Sequence, residues 1–375
     1  MPETSPHPAD TDRRDADTLL ARLTRALARA GELAAVRELT AMADTGLAHW
    51  HVWLHRSGDD LVARIPKQSQ MGLPARDNLA YQAACFARAA VGGHAPALHG
   101  RLPPDADLPR GALLVEAIVG RPARLPEDLA AIARSLAGLH RLPRPPVAER
   151  APLQAPDDPW RAMREEVLGQ AAALPEAGLG AEARRLIEAQ LAALPDRLPG
   201  AAGMARLISF DAHPGNFLVE AGGRAVLVDL EKCRYGLPGF DLAHASLYTS
   251  TTWDLASRAV LSLDQVAGFH DHWREAMGME ADTHPPDALL ACRRAMWLWS
   301  LTWCAKWRVA QGRRPRHPRD GEDWSAALSE EALVAHVRGR VDHYLEPATL
   351  RRGRDELDAL AARSSRSPRH TGSPP

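Results

Sequence analysis

No run of 18 consecutive apolar residues occurs in this sequence, and it opens on no charged-then-apolar leader. Both absences argue against a membrane helix and an export signal. They predict a soluble, cytoplasmic protein with no membrane partner. An excess of charge is missing too: 46 Lys and Arg face 47 Asp and Glu, for a net charge of −1. Bulk charge would not hold such a chain on nucleic acid, so no nucleic-acid partner is expected. Cysteine is scarce. Cys85, Cys233, Cys292 and Cys304 are scattered without metal-ligand spacing, which predicts a reduced setting. What is present is ordinary: 45% hydrophobic residues over 375 positions, enough for a sizeable core in one two-lobed enzyme or two domains.

Residues 1–14 are polar and proline-bearing and read as disordered. Over Asp17–Ala43, Leu19, Leu20, Leu23, Leu27 and Leu33 recur at helical steps, with a break expected at Gly31. Leu47–Leu54 and Leu61–Ile65 read as strands joined by a turn at 56–59. Alternation puts Arg64 on the face opposite Leu61, Ala63 and Ile65, and Pro66 ends the strand. Asp77–Ala90 is helical in pattern. Gly111–Val115 reads as a buried strand, with an edge strand and turn as the alternative. Pro126–His140 carries helix punctuation, with proline and acids at its start and one apolar face. Arg144–Pro159 is a proline-rich connection, and 159–198 holds one or two helices. Gln265–Met277, Ala288–Ala310 and Ser325–Leu360 read as helices, the basic stretch 311–322 as a loop, and the tail from Ala361 as disordered. Trp299, Trp303 and Trp307 stand at steps of four beside Trp297. Such a stripe either packs a core or boxes a quaternary ammonium by cation–π attraction.

The most informative stretch is 207–231, LISFDAHPGNFLVEAGGRAVLVDLE. It reads as strand, loop, strand, turn, strand, with Gly222-Gly223 at the turn. A hairpin folded about those two glycines places Asn216 opposite Asp229, Cα atoms roughly 5 Å apart. An amide oxygen and a carboxylate held so can grip a hard cation such as Mg2+. Asp211, one loop earlier, is the nearby carboxylate suited to handle a proton.

Asp211-Ala212-His213-Pro214-Gly215-Asn216, then Asp229-Leu230-Glu231, then Gly236-Leu237-Pro238-Gly239-Phe240-Asp241-Leu242-Ala243, resembles in order and spacing the aminoglycoside phosphotransferase and choline kinase family. The resemblance implies an α+β, protein-kinase-like two-lobed fold. Residues 15–115 would form a small β-rich nucleotide-binding lobe, and 116–360 a larger, mostly helical catalytic and substrate lobe, with a cleft between. It implies ATP and Mg2+ as cofactors and transfer of a phosphoryl group to a small hydroxyl-bearing substrate: choline-like, an amino alcohol, a sugar or an aminoglycoside. Asp211 would be the catalytic base, and Asn216 and Asp229 the metal ligands, with Glu231 as a further contact. Arg64 would neutralise the inner phosphates, with Lys67 the second choice and two solvated surface cations the alternative. Glu116 and Ile118 would meet the adenine through their main chain. His140 and Asp241 would act as structural braces.

Several departures stand beside this. Where the family carries a His two residues before the base, the chain has Ser209, followed by Phe210; Ser209 either substitutes for that brace or lowers activity. Helix 77–90 contains no Glu to hold the strand cation; Gln82 and Asp77 are its nearest polar substitutes. A kinase-type G-x-G-x-x-G is absent and only Gly46 is available. Two rivals follow: a nucleotide-binding protein with little catalysis, and a protein kinase. Against the second stand the missing glycine-rich signature and the lack of A-P-E after Asp229.

Overall fold

The computed structural model describes residues 8–43, 48–311 and 331–364. Gly46, the basic stretch 312–322, residues 325–330 and the segments 1–7 and 365–375 lie outside the described residues, and so do the expectations made for them. The chain divides into two compact units. One takes in residues up to Ala87 and Pro96–Ile118; the other takes in Arg88–Ala95, the chain from Val119 through the helix ending at Gln311, and residues from Ala335.

The first unit is a five-stranded antiparallel sheet with a helix against each face. Helix α1 (Pro8–Ala30) precedes strands β1 (Val36–Ala41), β2 (His49–Arg56) and β3 (Leu61–Pro66). Helix α2 (Ala75–Ala89), β4 (Leu98–Leu102) and β5 (Ala112–Glu116) follow. The strand order is β1-β2-β3-β5-β4. Strand alternation does what the sequence predicts on β3. Leu61, Ala63 and Ile65 join Val52, Leu54, Ala112 and Leu114 in one apolar layer, and Leu23 and Leu27 of α1 lie on it, fully buried. On the opposite face Arg64 stacks over Phe86 of α2, 5.2 Å from the ring centre. β5 pairs with both β3 and β4, so it is an interior strand and not an edge.

The expected helix through Ala43 is corrected. α1 ends at Gly31, whose φ of +76° suits glycine. Gly31 N–H donates to Ala28 O and Glu32 N–H to Leu27 O, the paired bonds that close a helix at a left-handed residue. Val36–Ala41 then pairs antiparallel with β2. Its alternation is broken by an irregularity between Val36 and Glu38, which hides the strand from period-two reading. The helix also starts earlier, at Pro8.

The second unit begins with β6 (Arg121–Pro122), α3 (Leu129–His140), α4 (Pro159–Ala171), α5 (Ala181–Ala192) and α6 (Ala201–Met204). Strands β7 (Arg206–Ile208), β8 (Phe217–Val219), β9 (Ala225–Leu227) and β10 (Arg234–Gly236) come next. Helices α7 (Pro238–Ser246), α8 (Tyr248–Thr251), α9 (Leu263–Met277), α10 (Pro286–Gln311), α11 (Glu331–Tyr344) and α12 (Pro347–Ser364) complete it. α9 opens with a capping box, Ser262 and Gln265 bonding each other's backbone N–H. α10 packs against α4, α7 and α12, and α3 against α9. Of the tryptophan stripe Trp307 is buried in this core, with Trp297 beside it, whereas Trp299 and Trp303 are half-buried. All four cysteines are buried free thiols. Among the described residues, no helix is long and apolar enough to cross a membrane.

Candidate active site

The loop from β7 to β8 holds Asp211, and its shape is fixed by one buried carboxylate. Asp241, in the first turn of α7, is fully buried. It accepts the backbone N–H of Ser209 at 2.7 Å and of Phe210 at 2.8 Å. Its Oδ2 also receives His140 Nε2 at 3.1 Å. His140 Nδ1 in turn accepts the Trp273 indole N–H at 3.0 Å. That donor assigns the tautomer: Nδ1 carries the lone pair, so Nε2 carries the proton that Asp241 takes. His140 and Asp241 are thus the braces the sequence predicts. The brace holds Phe210 at a φ of +59°, a conformation costly for a side chain with a Cβ. The Phe210 ring is gripped by the Arg234 guanidinium at 3.7 Å and by Trp299 edge-on at 5.4 Å.

Ser209 is also fully buried. Its hydroxyl accepts the Asp211 N–H at 3.0 Å. Serine therefore supplies a hydrogen bond inside the loop at the place where the family usually carries a histidine. Asn216 closes the loop from the other end, its Nδ2 donating to Asp211 O at 2.8 Å.

The Asp211 carboxylate meets Lys232, whose Nζ lies 2.9 Å from Oδ2, with side-chain exposures of 14% and 17%. His244 Nδ1 lies 3.9 Å from Oδ1. Burial pushes the Asp211 carboxyl up, but the Lys232 ammonium, with His213 and His244, outweighs it and holds the group below its ordinary value. For Lys232 burial works downward, and the charges of Asp211, Glu231 and Asp229 outweigh it, so its pKa is raised. Asp211 is ionised and Lys232 protonated at neutral pH. His244 is pushed down to about 4, chiefly by burial, and is neutral there.

The pairing expected between Asn216 and Asp229 is corrected by one residue. β8 and β9 pair Phe217 with Leu227 and Val219 with Ala225. Val228 N–H donates to Asn216 O at 2.9 Å, so Val228 stands opposite Asn216. The cause is the turn. Glu220 N–H donates to Arg224 O, and Gly223 has a φ of +78°. This is a three-residue loop centred on Gly222, not a two-residue turn on Gly222-Gly223. Asp229 lies one residue beyond the pair, and its charge acts on both Asp211 and Lys232. The second unit therefore gathers Asp211, Asn216 and Asp229 into one neighbourhood.

In the first unit Arg64 is 4% and Lys67 5% exposed, so neither is a solvated surface cation. Arg64 lies 3.2 Å from His51 Nε2, and Lys67 lies over the Trp50 ring at 5.5 Å. Gln82 of α2 bonds His49 of β2 at 3.1 Å. The Glu116 N–H is spent on Ala97 O and its carboxylate on Ala97 N–H, which ties β5 to the chain before β4. Ile118 closes the segment with its side chain buried.

Lys232 and His244 are the side chains that sequence reasoning missed. Both stand one residue past the motifs it used, Lys232 after Asp229-Leu230-Glu231 and His244 after Asp241-Leu242-Ala243. A cation directly after an acidic run and a second polar residue one helical turn past Asp241 were the available signals.

A family model described as the phosphotransferase enzyme family matches residues 43–279. No curated protein matches the chain. Among solved structures, a Ralstonia eutropha protein provisionally classed as an aminoglycoside phosphotransferase is 14% identical, with a TM-score of 0.60 over 90% of this chain and 98% of its own. A GDP complex of aminoglycoside 2'-phosphotransferase-IIIa is 15% identical, with a TM-score of 0.53 over 92% and 98%. A Plasmodium vivax ethanolamine kinase is 13% identical, with a TM-score of 0.51 over 87% and 85%. The α+β, protein-kinase-like fold expected from the sequence is the fold these neighbours share.

Proposed function

The chain belongs to the phosphotransferase enzyme family, and on that premise we propose that it moves the γ-phosphoryl group of ATP, with Mg2+, to the hydroxyl of a small molecule. The observation that carries this is the Asp211 carboxylate, held ionised by Lys232 on a loop that Asp241 braces. Phosphoryl transfer asks for positioning and charge neutralisation more than for covalent chemistry. Asp211 orients the acceptor hydroxyl and takes its proton, which an ionised carboxylate does at neutral pH. Asn216 has its Nδ2 anchored on Asp211 O, which leaves Oδ1 to face a cation. Together with the Asp229 carboxylate it offers the all-oxygen donor set that a hard divalent ion prefers. Mg2+ bound there would neutralise phosphate charge. Arg64 and Lys67 are the first unit's cations for the non-transferred phosphates, and the Glu116 carbonyl with the main chain at Ile118 is its candidate for the base.

The GDP complex of aminoglycoside 2'-phosphotransferase-IIIa supports a nucleotide donor and keeps GTP beside ATP as a donor to be tried. The Ser209 hydroxyl on Asp211 N–H favours a working loop over a nucleotide-binding protein without catalysis. The test is ADP release from MgATP against ethanolamine, choline, an aminoglycoside and a hexose, with and without Mg2+. Asp211→Ala should abolish transfer while ATP still binds. Unchanged turnover in that variant would refute the assignment.

A further inference from the structure

Lys232 occupies one oxygen of Asp211. The other, Oδ1, is the one left for an acceptor, and His244 Nδ1 faces it at 3.9 Å. That nitrogen is buried and has no hydrogen-bond partner among the described residues. The residue itself is 8% exposed. Buried polar atoms are rarely left unpaired, because losing water without a replacement costs roughly 1–3 kcal/mol. The ring is not placed there by accident of a mobile side chain. His213 flanks it at 6.1 Å and Trp299 at 6.4 Å, both edge-on. It projects from α7 one turn after Asp241, so the helix that braces the loop also aims His244 at the carboxylate.

We propose that His244 is the second hydrogen-bond partner of the acceptor hydroxyl, which it shares with Asp211. The inference rests on the phosphotransfer reading above. A separation of 3.9 Å is too long for a direct hydrogen bond and suits one bridging oxygen. An oxygen about 2.7 Å from the carboxylate oxygen and about 2.9 Å from the ring nitrogen sees the two near a right angle. The acceptor O–H donates to Asp211 Oδ1, and its oxygen receives Nδ1–H from His244. As the acceptor oxygen bonds to the γ-phosphorus, the bond from that phosphorus to the β,γ-bridging oxygen breaks and ADP leaves. The hydroxyl proton passes to Asp211, and His244 keeps its own. A neutral ring suits this role: it fixes the oxygen's direction without adding a full positive charge beside the nucleophile.

The test compares His244→Leu, His244→Asn and His244→Gln with the wild type in full-length protein, each checked for an unchanged thermal transition. The probes are MgATP with ethanolamine, choline, an aminoglycoside and a hexose, and with water as the smallest acceptor where none of these is used. His244→Leu should lower acceptor kcat/KM by about tenfold, the loss of one neutral hydrogen bond, with KM for ATP changed less than about twofold. His244→Asn, whose amide nitrogen falls near the place of Nδ1, should recover most of that loss. His244→Gln, whose amide reaches where Nε2 lies, should not. A Leu variant within about twofold of wild type overturns the proposal, and so does an Asn variant no better than Leu. Asp211→Asn run alongside separates the two levels. Full turnover in that variant, or no turnover in the wild type with any acceptor, removes the phosphotransfer reading itself.

Discussion

At Asp211 two opposing effects meet, and the outcome decides whether a proton acceptor is ready at neutral pH. Burial alone would raise the carboxyl, whereas the Lys232 ammonium at 2.9 Å, together with His213 and His244, more than cancels that. Replacing Lys232 by Met removes the largest of the opposing charges and lets burial raise the carboxyl. The acid limb of the activity profile should then move to higher pH, read as log kcat against pH. Stability should fall as well, because one partner of a largely buried pair is left uncompensated, at a cost of roughly 3 kcal/mol. Asp211→Asn in the same chain removes the stranded charge and should restore much of that stability without restoring turnover. A Lys232→Met protein with wild-type pH dependence would mean that the ammonium does not tune the carboxylate. This residue lay outside the motif reading because the family pattern draws the eye to acids, while the charge that sets the acid's state comes from a neighbour in the fold.

Elements transmit position to the loop through Asp241, where α3, α7 and α9 converge by way of His140 and Trp273. Asp241→Asn keeps the shape of the side chain but turns one of its acceptor oxygens into a donor. That NH2 would face a backbone N–H or the His140 Nε2–H, all of which donate. Turnover should drop by an order of magnitude or more while KM for ATP moves little, a split that a general loss of fold would not give. Gly239 offers a second lever on the same helix. A Cβ there would stand 2.7 Å from the Cβ of Cys292 on α10. Gly239→Ala should cost roughly 1–3 kcal/mol by overpacking, and Cys292→Gly should relieve it in a double-mutant cycle. Additive effects of the two changes would sink that account. The helices and β3 were legible because their apolar spacing is regular. β1 was not, because an irregularity interrupts its alternation and its pairing with β2 overrides local preference. The Asn216–Asp229 register was missed by one residue, since a Gly-Gly pair is compatible with loops of two or three residues and only the folded hairpin chooses.

Across the whole molecule, the antiparallel sheet in the first part and the mostly helical second part are what the family resemblance implied. The segment Arg88–Ala95 belongs with the second unit, which no sequence pattern announces. The His94 carbonyl accepts Leu227 N–H, and its ring bonds Ala225 O, so the segment is tied to β9 by contacts far apart in sequence. The same long-range packing buries imidazoles, and this sets how the fold responds to acid. Burial lowers His244 to about 4, and it lowers His284 to about 3, with the charges of His140, Arg206 and Arg274 adding to the effect. In the unfolded chain both would titrate near 6.5. Above that pH neither group binds a proton in either state, so neither affects stability. Below it the unfolded chain takes up protons that the folded protein refuses, so folding weakens as pH falls. Each imidazole contributes a slope of up to ~1.4 kcal/mol per pH unit until its folded pKa is reached. Asp211, with its pKa lowered, acts in the same direction but only below the ordinary carboxylate range. Denaturant midpoints measured from about pH 7 to about pH 4.5 should therefore fall with acidification. The variants His244→Asn and His284→Gln should each flatten that fall by about one proton's worth. Wild-type and variant curves of equal slope would show that these rings accept protons inside the fold, against the burial that the structure gives them.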